Sequence, residues 1–401
     1  MRIVFFANTD WYLYNFRLPA ARQLQAHGAE VVMVSPDGPF GERFAEHDIR
    51  WETLPMDRAS LNPIREAVTI KHLAALLRRE RPDLIHNFTV KCAVYGAMAA
   101  RLSGVPAVVN AVAGLGYVYA SNGLKARVLR PVVSALMRST LGSGNSRVIL
   151  QNPDDADALT DLRLVPKDRI RVIRSSGVNV ERFRPSAARA EDAPLRVLLA
   201  ARLLREKGIG EFVEAARMLK ERGRTVEFLL AGTPDPGNPN SFQRDDVQAW
   251  HDAGLIQWLG HVDDMPALMG SVDVMALPSY YREGVPRCLI EGAASGLCIV
   301  TTNLPGCREV VTSHGEDGLQ VPPRDAASLA GLIMQLDDDR EQVRRLGAKA
   351  RERALAHFDE RLVIGRTLDV YRELLEQGLP ASEAPPSPRT ARAQALGCAR
   401  E

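Results

Sequence analysis

The sequence of 401 residues holds no long apolar run: none approaches the roughly 18 residues that a membrane-spanning helix needs. The opening Met1-Arg2-Ile3-Val4-Phe5-Phe6 is too short for a secretory signal core and reads as a first strand. The expected setting is the cytoplasm, at most on the surface of a membrane. Cysteine is scarce, and Cys92, Cys288, Cys298, Cys307 and Cys398 are odd in number and dispersed, with no C-x-x-C pair. That pattern excludes a disulfide framework and a cysteine-held zinc site, and fits a reducing compartment. Acidic residues vanish from Leu84 to Pro153, while Lys91, Arg101, Lys125, Arg127, Arg130, Arg138 and Arg147 occur there. No G-x-G-x-x-G follows the first strand, where the chain reads Ala7-Asn8-Thr9-Asp10, and Gly114-x-Gly116 comes too late to replace it. A nicotinamide enzyme is thereby disfavoured. No nucleic-acid motif accompanies the basic stretch, so nucleic acid is a poor partner.

What is present is an ordinary globular composition, 46% apolar and 25% charged, in a chain long enough for two domains. Residues 1–175 carry a net charge of +7 and residues 176–401 carry −5, which suggests that the first half faces something anionic. Ile3–Ala7, Glu30–Val34, Leu84–His86, Ala107–Asn110 and Arg147–Leu150 read as buried parallel strands. Helical patterns at Leu13–His27, Pro63–Arg79 and Ala93–Leu102 alternate with them. The rhythm pauses at Arg174–Pro194. It resumes with strands at Val197–Ala200, Glu227–Ala231, Val272–Ala276 and Cys298–Thr301 and helices at Gly208–Arg222 and Ala326–Leu336. The expected architecture is α/β: two Rossmann-like doubly wound parallel sheets facing a cleft. Its boundaries are 1–178, a linker at 179–194, a second domain at 195–358, a last helix at 359–377 and a disordered tail at 378–401.

Two segments carry candidate chemistry. Ala200-Ala201-Arg202-Leu203-Leu204-Arg205-Glu206-Lys207-Gly208 leaves the first strand of the second domain and enters a helix. Arg202 offers a bidentate fork and Lys207 a point charge, a pairing suited to a diphosphate; as solvated helix-start charges they would need no ligand. After Val272–Ala276 come Leu277-Pro278-Ser279, Glu283-Gly284-Val285-Pro286 and Ile290-Glu291-Gly292-Ala293. A loop carboxylate at Glu283 can accept hydrogen bonds from sugar hydroxyls, and Glu291 in the next helix can take ribose hydroxyls.

In order and spacing, Arg202, Lys207, Glu283-Gly284-Val285-Pro286 and Glu291-Gly292-Ala293-Ala294-Ser295-Gly296 resemble the retaining glycosyltransferases of family four, with the GT-B fold. The likeness extends over residues 1–377, including Ser176–Pro185 as an interdomain signature and Glu360–Leu375 as a final helix returning to the first domain. It implies that Arg202 and Lys207 hold the diphosphate of a UDP-sugar and that Glu283 meets the sugar. It likewise places Gly284, Val285 and Pro286 beside the donor, Glu291 on the ribose, and Gly260, His261 and Val262 by the base. Tyr14–Pro19, Arg58–Pro63 and Gly114–Tyr117 look like bacterial enzymes that add an N-acetylhexosamine to a polyprenyl-diphosphate-linked sugar. That narrower likeness points to surface polysaccharide synthesis, with Asn15, Arg17, His86, Lys91 and Tyr117 as expected acceptor contacts. His86 reads equally well as a hydrogen-bonded structural residue. The chain departs from many relatives in lacking a Gly-rich loop after the first strand and a histidine at Ala111–Ala113.

No metal and no other cofactor is expected. Asp155-Ala156-Asp157 is a D-x-D, but it follows Asn152-Pro153 and reads as helix capping. Residues Gly123–Leu141 form a basic amphipathic pattern that could lie on an anionic membrane surface or pack as a core helix. Alternative functions are a GT-B nucleotide-sugar epimerase, which needs no acceptor, and an inactive sugar-nucleotide-binding subunit.

Overall fold

The computed structural model describes residues 1–57, 60, 62–114, 124–142, 144–187, 189–190, 192–235 and 237–375. The chain divides into two compact units, Met1–Ser176 with the stretch from Arg361 onward, and Gly177–Glu360. In the first, β1 (Arg2–Phe6), β2 (Glu30–Ser35), β3 (Arg50–Thr53), β4 (Leu84–Phe88), β5 (Ala107–Val112), β6 (Ser146–Leu150) and β7 (Ile170–Val172) form one sheet. Its order is β3-β2-β1-β4-β5-β6-β7 and every pairing is parallel. In the second, β8 (Arg196–Ala200), β9 (Glu227–Ala231), β10 (Gln257–Gly260), β11 (Val274–Leu277), β12 (Cys298–Thr302) and β13 (Leu319–Val321) follow the order β10-β9-β8-β11-β12-β13, again parallel.

Alternation along each central strand supplies both faces with apolar side chains. Ile3 and Phe5 join one core cluster, Val4 and Phe6 another. Val197 and Leu199 point into one face of the second sheet, Leu198 into the other. The Glu360–Arg372 helix adds Val363, Leu368 and Tyr371 to the Ile3 and Phe5 cluster, so the end of the chain completes the core of the first unit.

The helix expected over Leu13–His27 is two helices, Asp10–Phe16 and Leu18–Ala26, separated at Arg17. Pro19 stands near the start of the second; a proline interior to one continuous helix would lose a hydrogen bond and clash with the carbonyl four residues back. The expected strands all occur, with ends shifted by a residue or two. The stretch after Gly177 packs onto the second unit: Val180 and Phe183 are buried in its core, and the Arg351 guanidinium donates to Val180 O at 3.0 Å and Phe183 O at 2.8 Å. Residues 378–401 lie outside the described residues.

Among the described residues no helix is long and apolar enough to cross a membrane. In the Leu124–Thr140 helix, Met137 is buried, Val133 and Leu136 pack beside it, and Val132 is 59% exposed.

Candidate active site

From β8 the chain winds outward through β9 to β10, and from β11 outward the other way to β13, so the strand order reverses between β8 and β11. At such a reversal the connections leaving neighbouring strand ends diverge, and the crevice between them is where ligands of these sheets bind. Arg202 and Lys207 lie in the loop after β8, and Glu283 and Glu291 lie in the loop and helix after β11. The two loops touch: a Cβ on Gly208, which adopts φ +79°, would collide with the Pro278 carbonyl. The loop after β12 closes the group, since a Cβ on Gly306 would strike the Gly284 carbonyl.

Lys207 Nζ is ion-paired with Glu283 Oε2, the two side chains being 17% and 11% exposed. Burial alone would pull the Lys207 ammonium down, but the Glu283 carboxylate outweighs it and holds Lys207 above its ordinary value. On its other oxygen Glu283 lies 2.6 Å from Ser279 Oγ. Ser279 is fully buried and its carbonyl accepts from Thr302 Oγ1 at 2.6 Å, which anchors this network to β12. Arg202 Nη1 donates to Asp235 Oδ2 at 2.6 Å, with most of its side chain exposed. Glu291, one turn into the Arg287–Ala294 helix, accepts from Arg287 Nε at 2.6 Å. Burial pushes the Glu291 carboxyl above its usual range despite the opposing pull of Arg287. Gly260 ends β10 with φ +66°, His261 Nε2 lies 3.2 Å from Asp263, and Val262 packs on the core edge. Val285 is buried, and Pro286 caps the Arg287–Ala294 helix.

In the first unit Arg17 and His86 line a common cavity, while Lys91 and Asn15 make contacts of their own. His86 lies inside β4 at 2% exposure, with Nδ1 2.5 Å from Tyr371 Oη. Burial, with the nearby Arg17 charge, holds its imidazole well below the ordinary value. His86 thereby fastens the Glu360–Arg372 helix, in keeping with the hydrogen-bonded structural reading of this residue. Lys91 is taken up as well: Nζ pairs with Glu66 at 2.9 Å and donates to Asp57 O at 2.7 Å and Ser60 O at 3.0 Å. Asn15 donates to Trp11 O at 2.9 Å within its own helix. Arg17 differs from these. It is 9% exposed, donates to Tyr12 Oη at 2.6 Å, and lies 4.3 Å over the Phe88 ring, with Nε lacking a partner among the described residues. It stands beside the reversal of the first sheet, between β1 and β4. Tyr117 lies outside the described residues, as do Arg58, Ala59, Leu61, Leu115 and Gly116.

The D-x-D is built into a cap. Asp155 is fully buried, its N–H donates to Asn152 Oδ1 at 2.8 Å, and Asn152 Nδ2 donates to Asp155 Oδ2 at 3.0 Å. Asp157 is exposed. Sequence reasoning missed Asp235, whose partner Arg202 lies 33 positions away, and Ser279, whose contact with Glu283 four residues on has no motif of its own.

Residues 194–339 match the family described as glycosyl transferases group 1, and residues 2–151 the family described as glycosyl transferase 4-like. The chain is 29% identical over 387 residues to the N,N'-diacetylbacillosaminyl-diphospho-undecaprenol alpha-1,3-N-acetylgalactosaminyltransferase of Campylobacter jejuni, covering 94% of this chain and 100% of that one. It is 25% identical to the UDP-Gal:alpha-D-GlcNAc-diphosphoundecaprenol alpha-1,3-galactosyltransferase of Escherichia coli, over 76% of this chain and 78% of the relative. Among solved structures, Anabaena HepE in complex with UDP and glucose superposes with a TM-score of 0.75 at 20% identity, covering 92% of this chain and 99% of HepE. The sucrose-phosphate synthase of Thermosynechococcus elongatus superposes at 0.77 with 22% identity, over 94% and 100%.

Proposed function

The chain belongs to the group 1 and family-4-like glycosyltransferases with the GT-B fold, and from that premise we propose that it moves an N-acetylhexosamine from a UDP-sugar to a polyprenyl-diphosphate-linked saccharide, with retention at the anomeric carbon. The observation that carries this reading is that Arg202 and Lys207 follow β8 and Glu283 and Glu291 follow β11, on the two sides of one strand reversal, with Lys207 paired to Glu283. As the bond to the sugar breaks, the departing UDP gains negative charge. Cations fixed at Arg202 and Lys207 therefore stabilise the transition state more than the ground state. Glu283, braced by Ser279 and Lys207, accepts hydrogen bonds from sugar hydroxyls, and Glu291 takes the ribose. Gly260, His261 and Val262 border the base. The acceptor hydroxyl attacks on the face from which the diphosphate leaves, and a diphosphate oxygen receives its proton.

Arg17 is the residue we assign to the acceptor's phosphate. A guanidinium on aromatic faces, with Nε unpartnered among the described residues, has a donor left for an anion. Lys91 already answers to Glu66. Metal is not required in this scheme, because Arg202 and Lys207 supply the positive charge. The Leu124–Thr140 helix, with Arg127 and Val132 exposed, would rest the enzyme on an anionic cytoplasmic membrane face. The deciding experiment is a panel of nucleotide sugars offered with a short polyprenyl-diphosphate saccharide, scored for transfer. Transfer to the lipid from a UDP-N-acetylhexosamine is expected. Turnover without acceptor, or use of only non-UDP donors, would count against the proposal.

A further inference from the structure

The Arg202 side chain is 57% exposed, whereas Asp235, 2.6 Å away, is 17% exposed. The cation is thus the movable partner of the pair and the carboxylate the fixed one. Asp235 is fixed by its own loop, its N–H donating to Ser241 Oγ at 2.9 Å. That loop, which follows β9, is stitched to the Arg202 loop along its length. Leu203 N–H donates to Thr233 O at 3.1 Å, Phe242 N–H to Leu203 O at 2.8 Å and Arg205 N–H to Asn240 O at 2.9 Å. Leu204 and Ser241 form an antiparallel bridge, and the Arg205 guanidinium stacks 4.4 Å from the Phe242 ring. Asp235 is thereby held in register with the loop that carries Arg202.

Resting on the donor reading above, we infer that Asp235 is a positioning residue for the transfer: it tethers Arg202 through Nη1 and leaves the rest of the guanidinium fork to meet the diphosphate. A free arginine gives up rotamer freedom when it grips a phosphate, and one already held at a single nitrogen has given it up beforehand. The contact uses one Nη, so with respect to the described residues Nε and Nη2 are left for a two-pronged grip. In this reading Asp235 acts on the transfer only through Arg202. Its charge opposes the diphosphate while its position favours the grip, and the two effects can be separated. Asp235→Asn removes the charge and keeps an oxygen that accepts from Arg202. Asp235→Ala and Asp235→Ser remove the reach.

The test is calorimetric titration of the full chain with UDP alone, for these variants, for Arg202→Ala and for Arg202→Ala/Asp235→Ala, with donor KM and kcat measured alongside. Asp235→Ala and Asp235→Ser should weaken UDP binding about fivefold, the scale of a half-exposed ion pair, and raise donor KM with it. Asp235→Asn should stay within about twofold of the parent, and Asp235→Ala should add nothing in the Arg202→Ala background, where no guanidinium remains to be placed. Undiminished weakening in that background overturns the positioning role. So does parental affinity in Asp235→Ala when Arg202→Ala has lost it. Parental affinity in Arg202→Ala instead sinks the donor reading itself, so the two failures are distinct.

Discussion

Lys207→Ala would leave the Glu283 carboxylate, 11% exposed and 2.6 Å from Ser279 Oγ, without its ammonium. Removing one partner of a buried pair costs about 3–5 kcal/mol, because a charge remains in a poorly solvated place. Both partners here keep some exposure, which reduces the cost to about 2–3 kcal/mol. For a unit the size of Gly177–Glu360, each kcal/mol lowers Tm by about 2–4 °C, which places the loss at about 4–12 °C. Lys207→Met/Glu283→Gln removes both charges while keeping similar volume, and should cost no more than about 1 kcal/mol. Thermal unfolding of the parent, both single variants and the double variant measures the coupling directly. The double variant also separates folding from binding. Its stability recovers, but its affinity for UDP should stay about ten- to a hundredfold weaker, because a phosphate contact by a charged donor contributes about 1.5–3 kcal/mol. A double variant as unstable as Lys207→Ala would refute the pair energetics. One that is stable and binds UDP like the parent would refute the role of Lys207.

Activity should survive EDTA; complete loss, restored by a divalent ion, would return Asp155 and Asp157 to consideration as metal ligands. The buried His86 resists protonation while an unfolded imidazole takes a proton near 6.5. Below that pH the unfolded chain binds more protons, so stability falls as pH drops, by about 1.4 kcal/mol per unit until the depressed folded value is reached. Denaturant unfolding between pH 7.5 and 5.5 should show a shallower slope in His86→Gln; an identical slope would mean that the imidazole is protonated in the fold. Flotation with anionic liposomes should weaken on Arg127→Glu/Arg130→Glu, and unchanged flotation would leave the Leu124–Thr140 helix a packing element.

The interior of both sheets was legible because parallel strands buried on two faces are continuous apolar runs, as in Ile3–Phe6 or Cys298–Thr302. The strands that sequence reading missed are β3, β7, β10 and β13, the four edges. Each is short and mixed in character. Arg50-Trp51-Glu52-Thr53 and Ile170-Arg171-Val172 place charges on a half-covered strand, and Leu319-Gln320-Val321 spans three residues. An edge strand is specified by its one neighbour more than by its own pattern. The same holds for the site. Arg202, Lys207, Glu283 and Glu291 stand at recognisable distances from strand ends, whereas most contacts they make do not follow from spacing. Glu283 lies 76 positions from Lys207, Asp235 lies 33 from Arg202, and Tyr371 lies 285 from His86. No periodicity links such pairs.

Those partnerships divide the cations by what they can still do. Arg202 and Lys207 each rest against a carboxylate, Asp235 and Glu283, and on the proposed reading Asp235 orients Arg202 while a diphosphate meets the donors that this contact leaves over. Lys91 is spent on Glu66 and two carbonyls. Arg17 is held by the Tyr12 hydroxyl and by the Phe88 and Tyr12 rings, with no carboxylate against it among the described residues. Aromatic faces stabilise a cation without neutralising it. An anion meeting Arg17 therefore shares the cation with no resident carboxylate, whereas one meeting Arg202 or Lys207 does. On this reasoning Arg17→Met should raise the KM for a diphosphate-linked acceptor and leave UDP affinity unchanged, while Lys91→Met should cost stability before it costs acceptor. If acceptor KM instead follows Lys91 and ignores Arg17, the division of labour among these cations is wrong.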